Sequence, residues 1–221
     1  MQKITIAIDG FSGTGKSSTA KAVAKALDYT YIDSGAMYRA ATLYFLNNDV
    51  NAEAPDEVQK ALASITISFD HNHVWLNGQD VSDEIRTMRV NENVSRISAI
   101  GEVRRSLVAQ QQIIGKDGGI VMDGRDIGTV VFPDADLKVF MTANTHVRAI
   151  RRQAELQEKG FFEELITIEE NLTQRDKIDS TRSESPLKKA SGAIEIDTSD
   201  LTFDDQVNKI VTLAKDKIDA N

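Results

Sequence analysis

The sequence predicts an α/β protein: a parallel β-sheet whose strands alternate with helices, interrupted once by a small inserted unit. Three observations carry this. Short β-rich runs at residues 4–8, 29–32, 120–122, 137–141 and 193–196 are separated by stretches in which apolar residues recur at helical spacing, and such alternation implies right-handed crossovers and a parallel sheet. The alternation breaks where two short alternating runs, 65–69 and 73–76, are closed by Asn77-Gly78, a dipeptide that supplies the positive φ angles of a hairpin turn. Finally, 221 residues suffice for one α/β domain with a modest insertion or for two small domains.

The individual elements follow from local chemistry. After the first strand, Ala20, Val23, Ala24 and Leu27 share one face of a helix over 17–27, and a second helix covers 36–46. Helices over 57–63, 90–100 and 103–115 surround the inserted runs. Gly118-Gly119 breaks the chain before the strand that ends in Asp123-Gly124. Asn144 is placed to cap a helix over 146–159, and Gly160 to end it. Thr167 and Glu170 have capping-box spacing for a polar helix running through Arg175, and a terminal helix spans 203–218.

Composition narrows the function classes. A hydrophobic fraction of 41% and a charged fraction of 27% are those of a soluble globular chain. Cysteine is absent, so disulfides, thiolate metal sites and a thiol nucleophile are excluded. The net charge of −8 argues against a general affinity for nucleic acid. Apolar runs are strand-sized, too short to cross a membrane, and the N-terminus lacks signal or transit character. A cytoplasmic protein, monomeric and bound to neither nucleic acid nor membrane, is the expectation. His71, His73 and His146 show no metal-ligand spacing.

The chemistry begins at Gly10-Phe11-Ser12-Gly13-Thr14-Gly15-Lys16-Ser17, which matches G-x-x-x-x-G-K-[ST] at every fixed position. It follows a strand and opens a helix, the context such a loop needs. Glycines let successive N–H groups turn inward around an anion, and the helix adds its positive end. Lys16 then reaches the β- and γ-phosphates of a triphosphate, Ser17 is placed for Mg²⁺, and Thr14 and Ser18 add donor-phosphate contacts. A guanine-reading switch is excluded because the Asn-Lys pair, Asn208-Lys209, is followed by Ile210-Val211 with no Asp. Arg39, Arg125, Arg148, Arg151, Arg152, Arg175 and Arg182 stand at strand ends or along helices, as phosphate recognition in an acidic protein requires, although solvated helix faces paired with Glu155, Glu158 and Glu169 would look similar.

Several segments together resemble the bacterial cytidylate kinase family: Asp33-Ser34-Gly35-Ala36-Met37-Tyr38-Arg39, Val81-Ser82-Asp83-Glu84-Ile85-Arg86, the stretch from Asp123-Gly124-Arg125-Asp126 to Pro133, Leu156-Gln157-Glu158-Lys159-Gly160, and Arg175-Asp176 with Asp179 and Arg182. The resemblance implies a P-loop core (1–34 and 101–221) carrying a short helical lid at about 148–164, with an NMP-binding domain (35–100) that includes the hairpin. It implies transfer of the γ-phosphoryl group of ATP to CMP or dCMP, with Mg²⁺. It also implies that Asp126 and Arg104, helped by Ser95, read the cytosine edge. Ser34, Tyr38, Arg39, Arg125 and Arg182 resemble the residues around the acceptor phosphate, and Arg175 and Asp179 the ribose contacts. Asp123 stands where a metal-side carboxylate would, acting through water. A lid arginine, Arg148, Arg151 or Arg152, is expected to close over the transferred group, and the sequence does not say which. The alternatives are a kinase for another small acceptor, such as UMP or shikimate, and a nucleotide-binding module without turnover.

Overall fold

A computed structural model describes residues 3–70, 73–158 and 160–220. The chain divides into two compact units, Met1–Tyr31 with Gly115–Asn221, and Ile32–Ile114. This differs from the sequence-based division: residues 32–34 and 101–114, expected in the core, go with the inserted unit. The reason for 101–114 is packing. The helix there buries Val103 and Leu107 in the same apolar cluster as Met37, Phe45, Val58 and Ile97.

The first unit is built on a five-stranded sheet. Its strands are β1 (Thr5–Gly10), β2 (Thr30–Asp33), β6 (Ile120–Gly124), β7 (Leu137–Thr142) and β8 (Ile194–Asp197), in the order β2-β6-β1-β7-β8. The pairings of β1 with β6, β1 with β7 and β7 with β8 are parallel, as the alternating pattern required. The boundary between units falls within β2. Helices α1 (Lys16–Leu27) and α8 (Phe203–Asp219) pack on each other and on the sheet. Ala20, Val23 and Ala24 of α1 are buried against Ile4, Ile6 and Ile8, with Ile210 and Ala214 of α8. A capping box, Thr202 with Asp205, starts α8.

Helices α6 (Thr145–Glu158) and α7 (Leu165–Thr181) form a pair around Ala149, Ile168 and Leu172. The Asn144 side chain accepts from the His146 N–H, as expected of a cap. Gly160 has φ 79°, its N–H bonds to Gln157 and the Phe161 N–H to Leu156, the Schellman arrangement that ends a helix. The capping box expected at Thr167 is not formed. Helix α7 begins earlier, at Leu165, and runs on to Thr181, so Thr167 lies inside its first turn. There, packing of Ile168 and Leu172 against α6 sets the boundary.

The second unit holds α2 (Ser34–Asn47), α3 (Pro55–Ala63), α4 (Met88–Ser98) and α5 (Gly101–Ile114), with the antiparallel sheet β3 (Ile67–Asp70), β4 (His73–Leu76) and β5 (Gln79–Asp80). Asn77 and Gly78 take φ 52° and 79° and join β4 to β5. The turn was legible, but the short third strand beyond it was not, because a two-residue strand has no period. His71 lies outside the described residues. The described residues contain no helix long and apolar enough to cross a membrane.

Candidate functional site

Strand β1 delivers the phosphate loop. At Gly10, φ is 151° and a Cβ would stand 2.1 Å from the Met141 carbonyl oxygen, so any side chain would collide with the backbone of β7. Gly13 and Gly15 follow with φ 77° and 86°. Gly15 is the N-cap of α1 and no side chain caps its first N–H groups, which leaves helix-end donors for an anion. Ser17 and Ser18 are exposed on that first turn. The Thr14 side chain, by contrast, is buried and its hydroxyl donates to the Phe11 carbonyl at 3.0 Å. It braces the loop.

Lys16 is the buried cation of the loop, and its Nζ donates to the Phe11 carbonyl at 2.8 Å. Burial, and then the nearby Arg125 charge, push its pKa down to about 7, against the pull of Asp123, Asp179 and Asp9. A bound polyphosphate reverses that balance by adding negative charge beside the amine. Binding of ATP at pH 8, where the unliganded amine is largely neutral, is therefore accompanied by proton uptake. Affinity falls as pH rises through 7. Calorimetric titrations in buffers of different ionisation enthalpy measure this uptake, and heats independent of buffer would contradict it.

Beside the loop, Ser17 Oγ donates to Asp123 Oδ2 at 2.8 Å, and Tyr31 Oη donates to Asp123 Oδ1 at 2.8 Å. Two hard oxygen donors, Ser17 and Asp123, thus stand together at the carboxyl ends of β1 and β6. Among the described residues no group of three or more His, Asp or Glu side chains forms a metal cage. The donor set suits Mg²⁺ that keeps most of its water and arrives with phosphates, rather than a dedicated all-protein site. Tyr31 was not singled out from the sequence, since a tyrosine in a predicted strand carries no signal of its partner.

Beyond β6 the chain turns through Arg125 and Asp126 into one π-helical turn, Ile127–Val131. Arg125 Nε donates to Asp179 Oδ2 at 2.8 Å, and Arg182 Nη1 reaches Asp179 Oδ1 at 3.3 Å. Arg182 Nη2 stands 3.8 Å from Asp126 Oδ1, and its Nε and Nη2 both donate to the Ser185 carbonyl. Burial would raise the Asp179 pKa, but Arg125, then Arg182 and Arg175, hold it below the ordinary carboxylate range. Burial likewise opposes the charge on Arg125, and the Asp179 and Asp123 carboxylates more than restore it. Arg175, half-buried one turn before Asp179 on α7, belongs to the same group. This part of the sequence-predicted set is thus one buried lattice of alternating charge, two of whose arginines the sequence had assigned to an acceptor phosphate.

Arg148 is already engaged with the protein's own groups. It is buried; Nε donates to the Ala143 carbonyl, Nη1 to the Ser12 carbonyl and Asp176, and Nη2 to Thr145 Oγ1. Its guanidinium also lies 5.5 Å from the Phe11 ring centroid. With donors on all three nitrogens engaged, it fastens α6 and α7 to the loop. Arg151 similarly binds Thr198, whose hydroxyl donates to the Thr14 carbonyl. Arg152, among the described residues, is held by a partly exposed pair with Glu155 at 3.0 Å, a link worth little in water. Asp176 and Thr198, which complete these supports, were not identified from the sequence as supports.

The second unit places its residues in two groups. Asp33 caps α2 by accepting from the Ala36 N–H, Ser34 is buried in the first turn, and Arg39 Nη1 folds back to 3.2 Å from where a Gly35 Cβ would be. In the other group, the Arg104 guanidinium lies 5.0 Å from the Tyr38 ring centroid and Nη1 donates to the Ser98 carbonyl. Ser98 in turn donates to the Ser95 carbonyl at 3.1 Å. Arg104 is 2% exposed, so it is a charge held inside the unit and not on a solvated face. The sequence paired Arg104 with Ser95 by resemblance alone; the Tyr38 contact was not anticipated.

Residues 6–216 match the family model described as Cytidylate kinase. The chain belongs to the cytidylate kinase family. Among its relatives is a cytidylate kinase of Cytophaga hutchinsonii, 52% identical over 99% of this chain and 96% of that one. A Bacteroides fragilis cytidylate kinase is 53% identical over 93% and 94%. A crystal structure of an uncharacterized protein from Eubacterium ventriosum superposes with a TM-score of 0.50 over 100% of both chains, at 12% identity. That likeness concerns the fold alone.

Proposed function

We propose that this chain is a (d)CMP kinase, which transfers the γ-phosphoryl group of ATP to CMP or dCMP and releases ADP with CDP or dCDP. The observation that carries the reading is the cytidylate kinase match across residues 6–216. A loop whose buried lysine and uncapped helix end suit a triphosphate supports it.

An oxygen of the CMP phosphate attacks the γ-phosphorus, and the bond to the β–γ bridging oxygen breaks. A phosphate monoester has a second pKa of about 6, so the attacking oxygen is already ionised and needs no strong base. The residues therefore act by positioning and charge neutralisation. The backbone of residues 10–17 and the ammonium of Lys16 hold the donor phosphates. Ser17, and Asp123 through water, would hold Mg²⁺, which when bound would neutralise charge on the phosphate oxygens. Arg125 and Arg182, oriented by Asp179, take the acceptor phosphate with Ser34, Tyr38 and Arg39. Arg175 and Asp179 take the ribose. Asp126 accepts from cytosine N4, and Arg104 and Ser95 serve the acceptors on that edge. Arg152, loosely held, is the lid residue available to the transferred group, while Arg148 acts by supporting the loop. On this reading the enzyme works as a cytoplasmic monomer on free nucleotides.

A coupled ADP-release assay across nucleoside monophosphates tests the reading. CMP and dCMP are expected to outperform UMP by roughly tenfold or more, because uracil sets an acceptor against Asp126 and leaves it unpaired. Asp126→Ala removes that penalty and brings the CMP/UMP ratio towards one. A ratio unchanged in the variant refutes the base-reading role, and turnover of UMP as fast as CMP by the wild type refutes the substrate assignment.

A further inference from the structure

The turn that carries Asp126 has an unusual cap. An aspartate just before a helical turn ordinarily accepts from the first free N–H groups of that turn. Asp126 occupies that position before Ile127–Val131, yet its side chain makes no such bond. The cap comes from Asp9, 118 and 119 residues away in sequence. Asp9 Oδ1 accepts from the Ile127 N–H at 2.8 Å, and Asp9 Oδ2 from the Gly128 N–H at 2.8 Å. Asp9 is 3% exposed and pairs across the β1–β6 ladder with Gly124, one residue before Arg125. A Cβ at Gly128 would stand only 3.4 Å from Asp9 Oδ2, so nothing separates carboxylate and turn. Asp9 also immediately precedes Gly10, where the phosphate loop begins.

We propose that Asp9 is a positioning residue for nucleobase selection: by capping the Ile127–Val131 turn from β1, it relieves Asp126 of that duty and holds the Asp126 carboxylate at the angle that reads the base. This rests on the (d)CMP kinase reading above. The bidentate geometry is what makes the residue type specific. A carboxylate offers an oxygen to each of two adjacent N–H donors. An amide offers one oxygen and turns an NH₂ group against the second donor. Burial and the Asp126 charge raise the Asp9 pKa to about 6 against the two backbone N–H bonds and Lys16, so the acceptor pair is intact at neutral pH.

Asp9→Asn is the test, read by steady-state kinetics with CMP and UMP after a thermal melt has established that it folds. The Asp9 backbone, and with it the entry to the phosphate loop, is retained. The KM for CMP is expected to rise about tenfold or more, the CMP/UMP ratio to fall with it, and the KM for ATP to stay within about twofold, in line with loss of one charged hydrogen bond. In an Asp126→Ala background the same substitution should leave the ratio unchanged, since coupled residues are not additive. A rise in both KM values together, an unchanged ratio, or an equal effect in the Asp126→Ala background would overturn the proposal. If the wild type selects CMP and Asp126→Ala abolishes selection while Asp9→Asn does not, the inference fails and the (d)CMP kinase reading stands. Should Asp9→Asn not fold, the wild type supplies the answer. The CMP/UMP ratio of kcat/KM, in which the substrate phosphate and Lys16 titrations cancel, should drop between pH 7 and pH 5 with a midpoint near 6. A flat ratio overturns the proposal.

Discussion

Replacing Lys16 with Met is expected to reduce kcat by about a thousandfold or more while leaving the protein folded, because catalysis here depends on charge placed against the transferred phosphates. Methionine is close to lysine in length and fills the same buried space. What it lacks is the ammonium, which the structure keeps at the loop by one bond to the Phe11 carbonyl. That ammonium is held at a cost to the unliganded fold. Its folded pKa of about 7 lies below the ordinary lysine value of 10.5, so between those values the unfolded chain binds more protons and stability rises with pH. Below pH 7 the full cost of the buried charge is present. The Met variant should therefore melt at the same temperature as the wild type or higher at pH 6–7. A single-turnover assay and a thermal melt check the two halves. Near-normal turnover would sink the phosphate-loop role, and an unfolded variant would mean that the loop depends on the lysine for structure.

Asp179→Ala should be the most damaging change to the acceptor side. Its carboxylate pairs with Arg125 and joins Arg125 to Arg182, whose side chain is 5% exposed. Removing one partner of a buried pair leaves an uncompensated charge, a loss of about 3–5 kcal/mol when burial is complete. Because Arg125 is partly solvated, about half that is expected here. The two guanidiniums would also drift apart, so the KM for CMP should rise well beyond any change in the KM for ATP. Denaturant unfolding and initial-rate kinetics measure these effects. The Asp179 pKa is depressed in the folded state, so the carboxylate stabilises the fold above its unfolded value of about 3.9 and loses that contribution as pH falls through the folded value. The variant should lack that part of the wild type's acid sensitivity. Wild-type stability and an unshifted KM for CMP would show that the lattice is dispensable.

Much of the molecule was readable because its signals are local. The phosphate loop is eight consecutive residues between a strand and a helix. Asn77-Gly78, Asn144 and Gly160 each act within a few residues of themselves. The strand–helix alternation yielded the parallel sheet for the same reason, since period and turn chemistry are properties of a short window. Where local chemistry and packing disagreed, packing won. Thr167 had capping spacing, but α7 starts at Leu165, where apolar contact with α6 begins.

The sequence by itself determined that a triphosphate-type loop is present, which residues carry acid and base charge, and, through resemblance, the cytidylate kinase family. Only the tertiary structure decided what those charges touch. Arg148 and Arg152 look alike in the sequence, yet one is buried on Ser12, 136 residues away, and the other pairs with an exposed glutamate. Asp9 reads as the end of a strand and Asp126 as part of a distant turn, yet Asp9 caps the turn that follows Asp126. The physical reason is common to both cases. Burial sets the strength of a charge and the need to satisfy it, and burial is decided by segments far apart in the chain that no spacing rule can bring together.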